Sequence, residues 1–142
     1  MKLLHSLCFC LAFLALSSAA YADDDLSPSP DGAAVYFISP ADGMTVTSPV
    51  RVVFGLRNMG VAPAGTDKEH TGHHHLLINR DLPPAGEAMP NEDDLLHFGG
   101  GQTEATIDLP PGTHTLQLIL GDMYHIPHSP PVVSTPITIT VK

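Results

Sequence analysis

The sequence predicts an all-β fold, on three observations. Short runs rich in β-branched and aromatic residues recur along the chain, as in VRVVFGLRN and TPITITVK. Within them apolar residues alternate, which puts every second side chain on the same face of a strand. Proline and glycine bound the runs, and no stretch holds a 3.6-residue apolar period long enough for a good helix.

The chain opens on MKLLHSLCFCLAFLALSSAAYA, with one early cation (Lys2), an apolar centre from Leu7 to Leu16 and small residues ending in Ala20-Tyr21-Ala22. This is the three-part plan of a secretory signal peptide, and residues 1–22 are expected to be removed on export to the periplasm or beyond. The apolar centre is short for a span, which needs about 20 apolar residues, so no membrane insertion is expected after cleavage. Cys8 and Cys10 both leave with this segment. The mature chain then has no thiol, so disulfides, cysteine ligands and cysteine nucleophiles are excluded. No cysteine follows the apolar run to carry a lipid anchor.

Residues 23–33, DDDLSPSPDGA, are acidic, poor in apolar residues and expected to be a flexible leader. Residues 34–142 suffice for one core and one domain. Without Lys2, five basic side chains stand against fifteen acidic ones. Such a surface repels nucleic acid and anionic lipid and favours cations.

Taken in order, AVYFISP reads as a strand ending at Pro40, and ADGMTVTSP as a turn with a short edge segment. VRVVFGLRN places Val50, Val52, Phe54 and Leu56 on one face, with Arg51 and Arg57 off it. HHHLLIN follows. TEATIDL and THTLQLIL are separated by a PPG turn and predict a hairpin. TPITITVK closes the chain with Ile137, Ile139 and Val141 in alternation. Six or seven short strands at turn-bounded spacing predict an immunoglobulin-like antiparallel β-sandwich, with a small closed barrel as the alternative.

Two long connections break the pattern, residues 58–72 and 81–101, and a third irregular piece is GDMYHIPHSPP. Long loops in a compact domain are usually functional or disordered. Histidines lie in or beside all three. On a strand His73 and His75 share a face and stand roughly 7 Å apart at the backbone. Both rings can lean onto one ion at the ~2.0–2.1 Å that an imidazole ligand requires. Such a half-site needs further ligands, for which the loop histidines His97, His125 and His128 are candidates, and His70 can also turn inward. The expected metal set is His73, His75, His97, His125 and His128. His74 continues the row of Leu76 and Ile78, and His114 that of Leu116, Leu118 and Leu120, so a structural role suits both, with His114 bonded to backbone at the core edge.

Without thiolate, an imidazole-rich site suits copper first and zinc second. Of the four methionines in the mature chain, Met123 is the thioether candidate because it lies two residues before His125. HFGGGQTE is not a phosphate loop: no lysine follows the glycines and no helix comes next. Its glycines are expected to permit a sharp turn or a close approach to the histidines, with Gln102 and Glu104 orienting a ring. Catalysis is not expected, since neither H-E-x-x-H nor a nucleophile elbow is present; the enzymatic alternative is metal-assisted hydrolysis with Glu104 as general base.

The succession GHHHLLIN, LHFGGGQTEATIDLPPGTHTLQLILGD and HIPHSPP, followed by ITITV, resembles the small exported bacterial family called domain of unknown function 4399, over residues 36–142. The resemblance implies an exported single domain whose histidine and glycine motifs form a unit: His73, His74, His75, His97, the glycines 99–101, His114, His125 and His128. The family name records no activity. At fold level SPADGMTVTSP and the late GD…H are also similar to immunoglobulin-like periplasmic copper-binding proteins of the copper-resistance type, which implies a sandwich with loop histidines holding copper. The Asp-rich mature terminus, without a leading histidine, and the histidine triplet depart from that pattern. Two functions are therefore expected: a periplasmic metal-binding protein for sequestration or delivery, or a cell-envelope module with hydrogen-bonded histidines and a protein or glycan partner. In the second, Tyr36, Tyr124 and the prolines at 127, 130 and 131 form the recognition surface.

Overall fold

A computed structural model describes residues 26–142 of the chain, and the expected signal peptide lies outside them. Among the described residues nine strands run in chain order: β1 (Ala34–Ser39), β2 (Thr45–Val46), β3 (Val50–Arg57), β4 (Gly60–Val61), β5 (Thr71–Ile78), β6 (Leu95–His97), β7 (Glu104–Ile107), β8 (Gly112–Gly121) and β9 (Ile137–Val141). There is no helix among the described residues. The fold is all-β, as the alternation predicts.

One sheet has three strands, in the order β1-β3-β7, and a six-stranded sheet runs β2-β9-β8-β5-β4 with β6 also on β5. The long strands pair antiparallel. Two short edge pairs, β2 with β9 and β4 with β5, are parallel. The core lies between the sheets. Val35, Val50, Val52 and Phe54 come to it from the small sheet, and Leu76, Leu116, Leu118, Leu120, Ile139 and Val141 from the large one. The expected inward row of the third strand holds: Val50, Val52 and Phe54 are buried while Arg51 and Arg57 are exposed.

The PPG hairpin is a correction. β7 pairs with β3 in the small sheet, whereas β8 lies between β5 and β9 in the large one. The prolines and glycine turn the chain across the core from one sheet to the other. Ile107 and Leu109 pack into the core during this crossing, and the Leu109 N–H is taken by the Ser48 hydroxyl. Turn chemistry specifies a change of direction, and inter-sheet burial chooses the partner.

The leader also differs from expectation where it is described. From Leu26 onward it is tied down: Pro28 bridges Ser129, and the Ser29 N–H donates to the Ser129 carbonyl. The Ser27 hydroxyl donates to Asp122 at 2.7 Å. These backbone and hydroxyl groups find partners on the domain although the segment has little apolar surface to bury.

The large sheet has a second apolar cluster on its outer face, where Leu77, Leu95 and Ile119 meet Met89. The connection from Asn79 to Asp94 covers it and is closed at its base by Arg80, which donates to Glu92 and Asp94 at 2.7 Å each.

Leu118 is fully buried at the centre of the inter-sheet core. A Leu118→Ala variant is expected to lose about 2–5 kcal/mol of unfolding free energy, read as a lower urea midpoint with unchanged slope.

Candidate metal centre

The site is built on β5. Its alternation sends His74 into the inter-sheet core, where the ring lies 5.1 Å from that of Phe54, and sends His73 and His75 to the outer face. All three are fully buried. β6 pairs antiparallel with β5 and sets His97 directly opposite His75, on the same face. The two rings stack at 5.1 Å between centroids.

His125 arrives from the other side. After β8 the chain folds back in a tight turn that places Pro127 against Gly121. Asp122 organises this turn with its buried carboxylate: one oxygen accepts the N–H groups of Tyr124 (2.8 Å) and Ile126 (3.0 Å), the other the Ser27 hydroxyl. Its backbone carbonyl accepts the His125 N–H. His125 itself adopts a φ of 67°, a conformation uncommon for a residue with a Cβ and often found at functional sites. Its ring then stands 4.5 Å from His97 and 5.0 Å from His73.

One ring nitrogen from each of His73, His75, His97 and His125 thus falls within 4.8 Å of the others. Four imidazole nitrogens around a tetrahedral ion at ~2.0–2.1 Å would stand about 3.3 Å apart. The His73 Nε2 and His125 Nδ1 atoms are already 3.0 Å apart and share a hydrogen bond. Coordination at both atoms would require that shared proton to move to another ring nitrogen, because an ion takes the lone pair. Otherwise the group is short of partners. Both nitrogens of His75, Nδ1 of His73 and Nε2 of His97 are buried without a hydrogen bond. Such orphaned groups cost about 1–3 kcal/mol each, and an ion would offset part of that cost.

Of the expected ligand set, the structure brings together four and leaves His128 apart. His128 is buried, but its Nε2 donates to the Thr71 carbonyl at 3.1 Å. His114 bonds as expected at the core edge, donating to the Pro110 carbonyl from Nε2 while Nδ1 accepts from Asn79. His70 is exposed on the connection before β5. Glu104 is on β7 of the small sheet, paired with Arg51, and Gln102 accepts the Gly100 N–H. Neither side chain has a hydrogen bond to an imidazole, which corrects the role expected of Glu104; Gln102 acts on His74 through its backbone alone. Met123 is half-buried in the 122–126 turn.

Glycines make room for the rings, and here the sequence signal was incomplete. A Cβ on Gly99 would lie 2.4 Å from two atoms of the His97 ring, as the expected close approach requires. A Cβ on Gly121 would lie 2.7 Å from His75, and one on Gly72 3.0 Å from His128 and 2.6 Å from the Gly121 carbonyl oxygen. Gly121 and Asp122 stood out in the sequence only through the likeness of GD…H to copper-binding proteins, with no role legible for either side chain. Met89 was not legible either, since it lies inside a proline-rich, polar connection.

Burial is the first cause of depressed basicity at His73, His74, His75 and His97. It pushes His73 down to about 4, helped by the neighbouring His97 and His125 and opposed by Asp122. His75 falls to about 3 from burial and then from the three other rings. Burial lowers His74 to about 4 and also lowers His97, beside His125. A backbone group of Gln102 opposes the shift at His74 without reaching hydrogen-bond geometry at either ring nitrogen. His73, His75 and His97 are therefore held in the neutral form, the one that binds metal.

The family model described as a domain of unknown function (DUF4399) matches residues 52–142. The chain belongs to this family. All nine strands but β1 and β2 fall wholly or mostly within the DUF4399 match, as do all four converging histidines. No curated protein and no solved structure matches significantly.

Two outcomes are expected. Unfolding free energy of the metal-free protein should be full above about pH 6.5 and fall as pH drops toward 4, because the unfolded chain takes up protons that buried His73, His74 and His75 refuse. Each histidine contributes at most about 1.4 kcal/mol per pH unit, measured by urea denaturation at pH 7.5, 6 and 5. Asp122→Ala, which frees the turn carrying His125, should weaken metal binding about 10–100-fold. Asp122→Asn keeps an acceptor for the Tyr124 and Ile126 N–H groups and should lose less in the same competition titration.

Proposed function

We propose that this DUF4399 protein is an exported, periplasmic or secreted transition-metal-binding protein. It takes copper in preference to zinc for sequestration or delivery, through His73, His75, His97 and His125. The observation that carries the reading is the convergence of four imidazole nitrogens within 4.8 Å in a largely buried group. His114 and His128, outside the group, each bond a backbone carbonyl through one ring nitrogen, whereas His74, also outside it, packs in the core with neither nitrogen bonded, so convergence and not the lack of partners marks the four. In the converging group one hydrogen bond joins two rings and several nitrogens have none. Imidazoles without thiolate favour copper over zinc by intrinsic affinity, and an acidic surface raises the local cation concentration. The immunoglobulin-like description of the two-sheet fold and the signal peptide belong to this proposal. No catalytic role is proposed.

The rival reading is an envelope module whose histidines act as scaffold. The His73–His125 hydrogen bond is the contact that favours it. Elemental mass spectrometry of the untagged protein exported from a bacterial host separates the two. Near-stoichiometric copper or zinc is expected in the wild type and loss of it in a His73→Ala/His75→Ala variant. A wild type that holds no metal, and binds added copper(II) or zinc no better than the variant, would favour the scaffold.

A further inference from the structure

We infer that Met89 supplies a thioether ligand to the four-histidine site, so that the site is selective for copper(I) over zinc. This rests on the metal-binding reading above and adds the ion's oxidation state and a sulfur donor, which would take one place in a copper(I) shell of at most four ligands.

Met89 is the one buried residue in the run from Asp81 to Asp94, most of which is exposed. Two contacts hold it at the site. Its backbone N–H donates to the carbonyl of His125 at 2.9 Å, clamping the covering connection to the turn that carries that ligand. Its side chain reaches the edge of the histidine group at Gly121. The Met89 Cε atom and the His75 Cε1 atom come within 2.9 and 2.7 Å of the same point, where a Cβ on Gly121 would stand. The missing side chain of Gly121 thus opens a gap that the Met89 methyl group and the imidazole edge share.

Apolar packing accounts for part of this placement, since Leu77, Leu95 and Ile119 surround Met89. Packing alone does not call for sulfur, and leucine would fill such a pocket at small cost. A soft thioether among neutral imidazoles binds copper(I) well and adds little for zinc, which is satisfied by harder nitrogen donors. The mature chain has no cysteine, so any sulfur bound to metal would come from methionine.

The test compares untagged wild type with Met89→Leu. Anaerobic competition against a copper(I) chelator should show affinity falling by about tenfold or more in the variant, with zinc affinity held within about twofold. The thermal midpoint should be retained. X-ray absorption at the copper edge should find sulfur in the copper(I) shell of the wild type and none in the variant. Equal copper(I) affinities, parallel loss of both metals, or a sulfur signal that is absent from the wild type or survives in Met89→Leu would each overturn the assignment. Binding of neither metal by the wild type would instead remove the metal-binding reading itself.

Discussion

The antiparallel pairing of β5 with β8 registers Leu76 against Leu118 and His73 against Gly121, and that register governs both faces of the large sheet. On the inner face it aligns Leu76, Leu116, Leu118 and Leu120 into the core shared with the small sheet. On the outer face it sets His75 opposite Ile119 and His73 opposite a glycine. A slip of one residue would exchange the faces, sending His73 and His75 into the apolar core and Leu76 out of it. Core and site are therefore specified by one hydrogen-bond ladder.

That dependence explains why the site can be buried. An isolated histidine loses hydration on entering the protein and keeps its neutral form, as the depressed basicity of His73 and His75 records. Several such rings are retained side by side because the strands fix them there and inter-sheet burial supplies the stabilisation. The site is also closed from three directions. Ala64 bonds the Gly99 carbonyl, Gly65 that of Met123, and Met89 that of His125. Each bond joins one irregular connection to another over the histidines, so the connections act as a single cap. Preorganised donors of this kind bind without first ordering a loop.

The outer apolar cluster and the histidine group form one continuous surface beneath that cap, apolar around Leu77, Leu95 and Ile119 and nitrogen-rich around His75 and His97. Packing buries the first side, and on the second the glycines let backbone and rings approach closely. Gly72, Gly99 and Gly121 thus act as spaces shaped to neighbouring rings. A side chain at any of them would move an imidazole or shift backbone.

The chain by itself determined the strands with clear alternation, the absence of long helices, and the sharing of a face by His73 and His75, because strand periodicity is a local property. The candidacy of His97 and His125 was legible from their place in long connections, although β6, which carries His97, is too short to announce itself. Tertiary structure alone decided that the PPG turn crosses between sheets, that His128 turns to the Thr71 carbonyl, that Glu104 faces Arg51, and that Gly121, Asp122 and Met89 belong beside the rings. Each of these depends on which distant strand or loop supplies a partner. That choice is made by burial and by the need to satisfy backbone groups across the whole fold, and neither is encoded in local spacing.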